Sequence, residues 1–270
     1  MATRHRAIQI PSGDRTIAGT LVAPDTVVPG VLLVHGWDGS QEQYLARAHA
    51  IAALGCVCLT IDLRGHARDK AHRDTVTRED NLNDLLAAYD LLTGHPAVDA
   101  QSVALVGSSY GGYLATILSA LRPVRWVALR APALYQDEDW LVSKQHLDRQ
   151  QIARYRAQKL EPDSNRALAA SAVFEGDVLL VESELDSIVP HAVIENYRAA
   201  FLRTRSMTYR VIEGADHALA KPEWSEAYTT LLVHWMAEML GHAKAKAASA
   251  ASDQLQEPSP SDPMPGISTV

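Results

Sequence analysis

Gly107-Ser108-Ser109-Tyr110-Gly111 sets a serine between two glycines in G-x-S-x-G spacing. The apolar run 102–106 before it reads as a strand, and 113–121 after it has helical spacing. That context carries the chemistry. A serine on a strand-to-helix turn takes strained dihedrals, so small neighbours at Gly107 and Gly111 prevent clashes. Its hydroxyl then stands above the sheet, where the helix N-terminus favours developing negative charge. Ser108 is the competing hydroxyl but lacks the paired glycines. A plain glycine-rich turn for close helix–strand packing would use the same residues; the flanking strand and helix favour the nucleophile. A phosphate-binding loop is disfavoured, because no Gly-Lys-Ser/Thr follows and G-x-G-x-x-G is absent.

A serine hydroxyl is a weak nucleophile and needs a base held in place by a third group. Two downstream clusters offer both. The strand-like run 178–182 leads to Asp186, and the run 208–212 leads through Gly214-Ala215-Asp216 to His217. The chain order Ser109, Asp186, His217 is the one expected on a sheet of this type. Glu182, Glu184 and Asp216 compete for the acid role, and Asp186 has the bland alternative of a loop or cap carboxylate. His217 is one of 11 histidines, most of which fall in helices or connectors without this placement. Upstream, His35-Gly36-Trp37 follows the strand-like run 31–34. An oxyanion hole needs a backbone N–H from such a loop, so the N–H groups of Trp37 and Tyr110 are the candidate donors. His35 is expected to brace the loop, and the Trp37 side chain to line an acyl pocket or pack beneath. No H-E-x-x-H, zinc-spaced cysteine pair or Asp-rich calcium loop occurs, and His66, Asp69 and His72 read as a solvated polar loop. No metal or cofactor is expected.

These groups need a frame. Runs 7–10 and 17–22 read as an antiparallel hairpin. Strand-like runs at 31–34, 57–62, 102–106, 126–130, 178–182 and 208–212 then alternate with helical patterns at 41–54, 79–92, 113–121, 192–201 and 223–239. Such alternation implies an α/β protein with a parallel sheet covered on both faces. Reacting groups then gather at the carboxyl ends of the strands, where all three clusters fall.

The 270 residues carry Lys+Arg 25 against Asp+Glu 32, a formal charge of −7, with 47% hydrophobic and 21% charged residues. This is ordinary globular composition, and the sequence pI of about 5.9 argues against a nucleic-acid partner. Cys56 and Cys58 alternate along one strand and read as buried small apolar side chains, which suits a reducing compartment. The first residues lack the apolar core of a secretory signal, and the longest apolar runs fall far below the roughly 20 residues of a membrane span. A soluble, cytoplasmic protein without membrane contact is expected. From Gly241 the composition turns to Ala, Ser and Pro, so residues 1–240 read as the folded body and 241–270 as a disordered tail, helical at most through its Ala-rich part.

Five motifs, HGWDGS (35–40), DLRGHARD (62–69), GSSYGG (107–112), ELDSIVP (184–190) and GADHAL (214–219), follow one another in order. With them the chain resembles the α/β-hydrolase superfamily, in its small serine-esterase and dienelactone-hydrolase-like branch, over roughly residues 7–240. The resemblance implies the α/β-hydrolase fold, a mostly parallel sheet with helices on both faces and a small helical cap at about 133–174. It also implies nucleophile, acid and base at Ser109, Asp186 and His217, with oxyanion donors at Trp37 and Tyr110. Dienelactone hydrolases are expected to use cysteine, so Ser109 favours ordinary ester hydrolysis; an aspartate there would suggest a dehalogenase or epoxide hydrolase. Relatives often show R-G-x-G-x-S where this chain has Arg64-Gly65-His66-Ala67-Arg68, so no family role carries over to that loop. Trp37, Leu134, Tyr135, Trp140 and Leu141 are candidate pocket residues, with core packing the default for any one of them, and 137–139 reads as a solvated helix N-terminus.

The implied activity is hydrolysis of a small-molecule ester or related acyl substrate through an acyl-enzyme. Alternatives on the same fold are a small-peptide (amino)peptidase and an acyl-CoA thioesterase or acyltransferase. A catalytically silent binding protein would need no such ordered set of residues.

Overall fold

A hairpin of β1 (Arg4–Ser12) and β2 (Arg15–Ala23) opens the computed structural model, which describes residues 4–13, 15–23 and 28–254. Six strands follow: β3 (Val28–Val34), β4 (Val57–Ile61), β5 (Val98–Ser108), β6 (Trp126–Arg130), β7 (Asp177–Ser183) and β8 (Ser206–Ile212). Between them run α1 (Glu42–Ala52), α2 (Arg78–Thr93), α3 (Tyr110–Ser119), α4 (Arg149–Arg156), α5 (Arg166–Val173) and α6 (His191–Ala200), and α7 (Pro222–Gln254) closes the described chain. The described residues form one eight-stranded sheet in the order β1-β2-β4-β3-β5-β6-β7-β8. β2 pairs antiparallel with β1 and β4, and every later pairing is parallel.

Parallel strands covered on both faces are mainly apolar, and β4, β6 and β7 are buried at every position, with Arg130, Asp177 and Glu182 at or near strand ends. Alternation then splits the core in two. Leu32, Leu59, Leu105, Leu129 and Leu180 point to the face covered by α2, α3, α5 and α6. Leu33, Cys58, Val106, Ala128 and Val181 point to the face covered by α1 and α7. Both cysteines lie fully buried in this second layer, and burial pushes the Cys58 thiol well above its ordinary range.

Two expectations are corrected here. The segment between β6 and β7 is less helical than its sequence suggests: one 3-10 turn (Lys144–His146) and the short α4 precede α5. Residues 137–139 form no helix start; Asp137 instead accepts the Arg166 N–H at 2.8 Å, at the first turn of α5. The final helix runs past Leu240 to Gln254, through the Ala-rich stretch where helix propensity is highest, while 255–270 lie outside the described residues. Among the described residues, no helix is long and apolar enough to cross a membrane.

The loop after β4 is anchored by a buried ion pair. Arg64 donates through Nε to Asp84 Oδ1 at 2.8 Å and through Nη2 to Ser12 Oγ at 2.8 Å, while its own N–H meets Asp84 Oδ2 at 2.9 Å. These bonds tie β1, the β4 exit and α2 together. Removing one member of a buried pair strands the other charge, so Asp84→Ala is expected to cost about 3–5 kcal/mol in urea unfolding.

Candidate active site

The turn from β5 into α3 holds Ser109 at φ 52° and ψ −116°, a conformation that side-chain-bearing residues rarely adopt. Its backbone is held on both sides: its N–H donates to Arg130 O at 2.9 Å, and its carbonyl accepts from Tyr113 and Ala133 at 3.0 Å each. The glycines matter because the chain folds back tightly. A methyl on Gly107 would sit 2.6 Å from Gly111 O, and one on Gly111 would sit 2.6 Å from Val34 O.

His217, beyond β8, brings Nε2 to 3.0 Å from Ser109 Oγ. Its Nδ1 lies 2.6 Å from Asp186 Oδ2. A carboxylate beside Nδ1 places the ring proton there, leaving Nε2 to accept the Ser109 hydroxyl. The other Asp186 oxygen accepts the N–H groups of Ile188 and Val189, both at 2.8 Å. Burial pushes the Asp186 carboxyl up, but the His217 contact and these amides outweigh it and hold it below the ordinary carboxylate range. The structure therefore brings together Ser109, Asp186 and His217 from three separate strand ends. The competing acids are engaged elsewhere: Glu182 with His191 at 2.8 Å, Glu184 with the Gly214 N–H at 2.6 Å, and Asp216 with the Ala220 N–H at 3.0 Å.

The loop after β3 lies against the same turn; a methyl on Gly36 would sit 3.4 Å from Ser109 Cβ. Neither Trp37 N–H nor Tyr110 N–H is hydrogen-bonded to another described residue. His35 braces the loop from inside, its Nδ1 donating to Gly36 O at 2.7 Å and its Nε2 accepting the Leu63 N–H at 3.1 Å. The Trp37 ring packs edge-on against His66 and Tyr110, with centroids 4.6 and 5.4 Å away. His66 is fully buried, not part of a solvated loop, and burial with neighbouring His35 drives its pKa down to about 3. Asp69 and His72 pair with each other, and no metal-binding cluster occurs among the described residues.

The candidate pocket residues separate. Tyr135 packs beneath the turn, its ring 5.9 Å from Tyr110 and 5.1 Å from Tyr113. Leu134 and Trp140 are buried in the larger core, whereas Leu141 is 65% exposed and joins no core cluster. Two functional candidates have no signature in the sequence. Lys144 reaches in from the 3-10 turn to hold its ammonium 3.9 Å from the Trp37 ring and 5.6 Å from those of Tyr110 and Tyr135. Burial would raise the Tyr135 phenol, but the charges of Lys144 and Arg156 pull it below its ordinary range. Arg130, ending β6, donates to the carbonyl of His217 at 2.9 Å and so positions the histidine loop.

The model of the prolyl oligopeptidase family matches residues 42–243. A curated relative, an epoxide hydrolase of Caballeronia sordidicola, is 27% identical over 204 residues, 74% of this chain but only 56% of that protein. Among solved structures, Est1E from Butyrivibrio proteoclasticus, with ferulic acid bound, superposes at TM-score 0.68 with 18% identity, covering 86% of this chain and 98% of that one. A dienelactone hydrolase from Anabaena variabilis superposes at TM-score 0.63 with 21% identity, covering 86% and 96%. The chain has the α/β-hydrolase fold.

Two outcomes test the geometry. Gly111→Ala, favourable by helix propensity alone, is expected to lower stability by about 1–3 kcal/mol through overlap with β3, read by thermal melting. His66 stays neutral in the fold while the unfolded chain protonates it near pH 6.5, so unfolding binds a proton and stability falls as pH drops from there toward 3. His66→Gln should flatten that slope in urea unfolding series at pH 7, 5.5 and 4.

Proposed function

Because the chain belongs to the prolyl oligopeptidase family, we propose that it is a serine hydrolase cleaving carboxylic esters of small molecules. The observation that carries the reading is the continuous contact from Ser109 Oγ through His217 to Asp186 at 3.0 and 2.6 Å. His217 Nε2 takes the hydroxyl proton as Ser109 Oγ attacks the ester carbonyl carbon. Asp186 keeps the imidazole in the needed tautomer and stabilises its charged form. The Trp37 and Tyr110 N–H groups donate to the oxyanion of the tetrahedral intermediate. Collapse expels the alcohol, protonated by His217, and leaves an acyl-serine. Water, deprotonated by the same nitrogen, then releases the acid and restores the serine.

Residues up to about 240 form the catalytic body in this reading, with the segment 133–174 as a small cap. The buried thiols favour a cytoplasmic setting. A serine at the elbow, where an epoxide-opening enzyme of this fold would need an aspartate, argues for attack at a carbonyl despite the name of the curated relative.

A peptidase is the second reading, favoured by the family to which the chain belongs. Parallel assays on nitrophenyl esters of graded acyl length, acyl-CoA thioesters and short peptide amides separate the classes, with ester turnover expected to dominate. Ser109→Ala is expected to lower ester kcat/KM by about a thousandfold or more and to abolish labelling by a fluorophosphonate. Near-wild-type turnover in that variant would sink the proposal.

A further inference from the structure

One residue along the chain from both Ser109 and His217, a second site faces the layer built by α1 and α7. A cavity of about 240 Å³ is lined there by Arg47, Ser108, Arg130, Ser225 and Tyr228, with Leu219 among its walls. Two guanidinium groups share one aromatic ring: the central carbons of Arg47 and Arg130 lie 5.0 and 5.9 Å from the centroid of Tyr228. Arg130 is only 7% exposed. Its acceptors are all neutral, Ser108 Oγ at 3.3 Å, Ser183 Oγ at 3.4 Å and His217 O at 2.9 Å. Arg47 likewise donates only to Gln43 O at 3.1 Å and Ser225 Oγ at 2.9 Å. Among the described residues neither is paired with a carboxylate, although the chain as a whole is acidic.

Two further donors at this site are unused. Arg47 Nε is buried without an acceptor, and so is the hydroxyl of Tyr228, which is 1% exposed. Sequestered cations that lack a counter-charge repel one another and are costly, as are buried donors left unfilled. A single anion in the cavity would answer both deficits. Guanidinium forks beside hydroxyl donors suit the several oxygens of a phosphoryl group.

We propose that this cavity binds a phosphate group, clamped between Arg47 and Arg130 and met by the Tyr228 hydroxyl. The site holds none of the reacting groups, although it shares Arg130 with them. It is coupled to them through Arg130, which holds the His217 carbonyl, so occupancy steadies the histidine loop.

Thermal melting and calorimetric titration with inorganic phosphate, at ionic strength held constant with sodium chloride, test the site. Wild type is expected to gain thermal stability saturably with phosphate, as a ligand bound only to the fold must produce. Arg47→Gln should weaken phosphate binding by about tenfold or more, the loss of one charge-assisted contact. Tyr228→Phe gives the distinguishing signature. Without phosphate it should melt at or above wild type, because an unfilled donor is gone, and with phosphate it should gain less. Phenyl phosphate binding as tightly as phosphate assigns the site to the phosphoryl end of a larger molecule; its exclusion assigns it to the free ion. The proposal is overturned if melting tracks ionic strength alone, or if both variants gain as much from phosphate as wild type. Binding is read without turnover, so loss of esterase activity in Ser109→Ala leaves this test unaffected.

Discussion

The close approach of the β5–α3 turn to β3 is the contact on which the rest of the site depends. Val34 pairs in register with Gly107, and Gly111 passes the carbonyl of Val34 where no side chain fits. That approach has two consequences at once. It forces Ser109 into a strained left-handed conformation that aims its hydroxyl off the sheet, a cost of about 1–3 kcal/mol. It also lays the loop of His35, Gly36 and Trp37 beside the same turn. The three backbone hydrogen bonds around Ser109 hold the strain in place.

Charge is distributed around this turn in a way the net charge of −7 conceals. The face beside Trp37 and Tyr110 carries the Lys144 ammonium, and the opposite layer carries Arg130 and Arg47. Between them the buried histidines His35 and His66 are pushed toward the neutral form by desolvation. Arg130 is a link between two sites, touching the His217 loop on one side and the cavity with Tyr228 on the other.

Much of this was legible in local sequence, for identifiable reasons. Fully buried parallel strands are mainly apolar, so runs such as 31–34 and 178–181 declare themselves. Glycines on both sides of a serine declare the turn, because only they permit the approach to β3. The segment between β6 and β7 was less legible. Its polar, helix-prone residues, held by side-chain bonds such as Asn165 to Tyr135 O at 2.6 Å, adopt a 3-10 turn and short helices instead. Leu141 shows the same limit: an apolar side chain in a cap can face either way, and this one is exposed.

Sequence alone thus determined the order of strands and helices, the turn carrying Ser109, and the candidates Asp186 and His217, because each follows from short-range pattern. It did not choose Asp186 over Glu182, Glu184 or Asp216, since all four are carboxylates near strand ends. The tertiary structure gives the other three different partners and sets Asp186 against His217 Nδ1. It alone also brought Lys144 over Trp37, and Arg47 beside Arg130 and Tyr228. Contacts between residues so far apart in the chain depend on how whole elements pack, which no local spacing records.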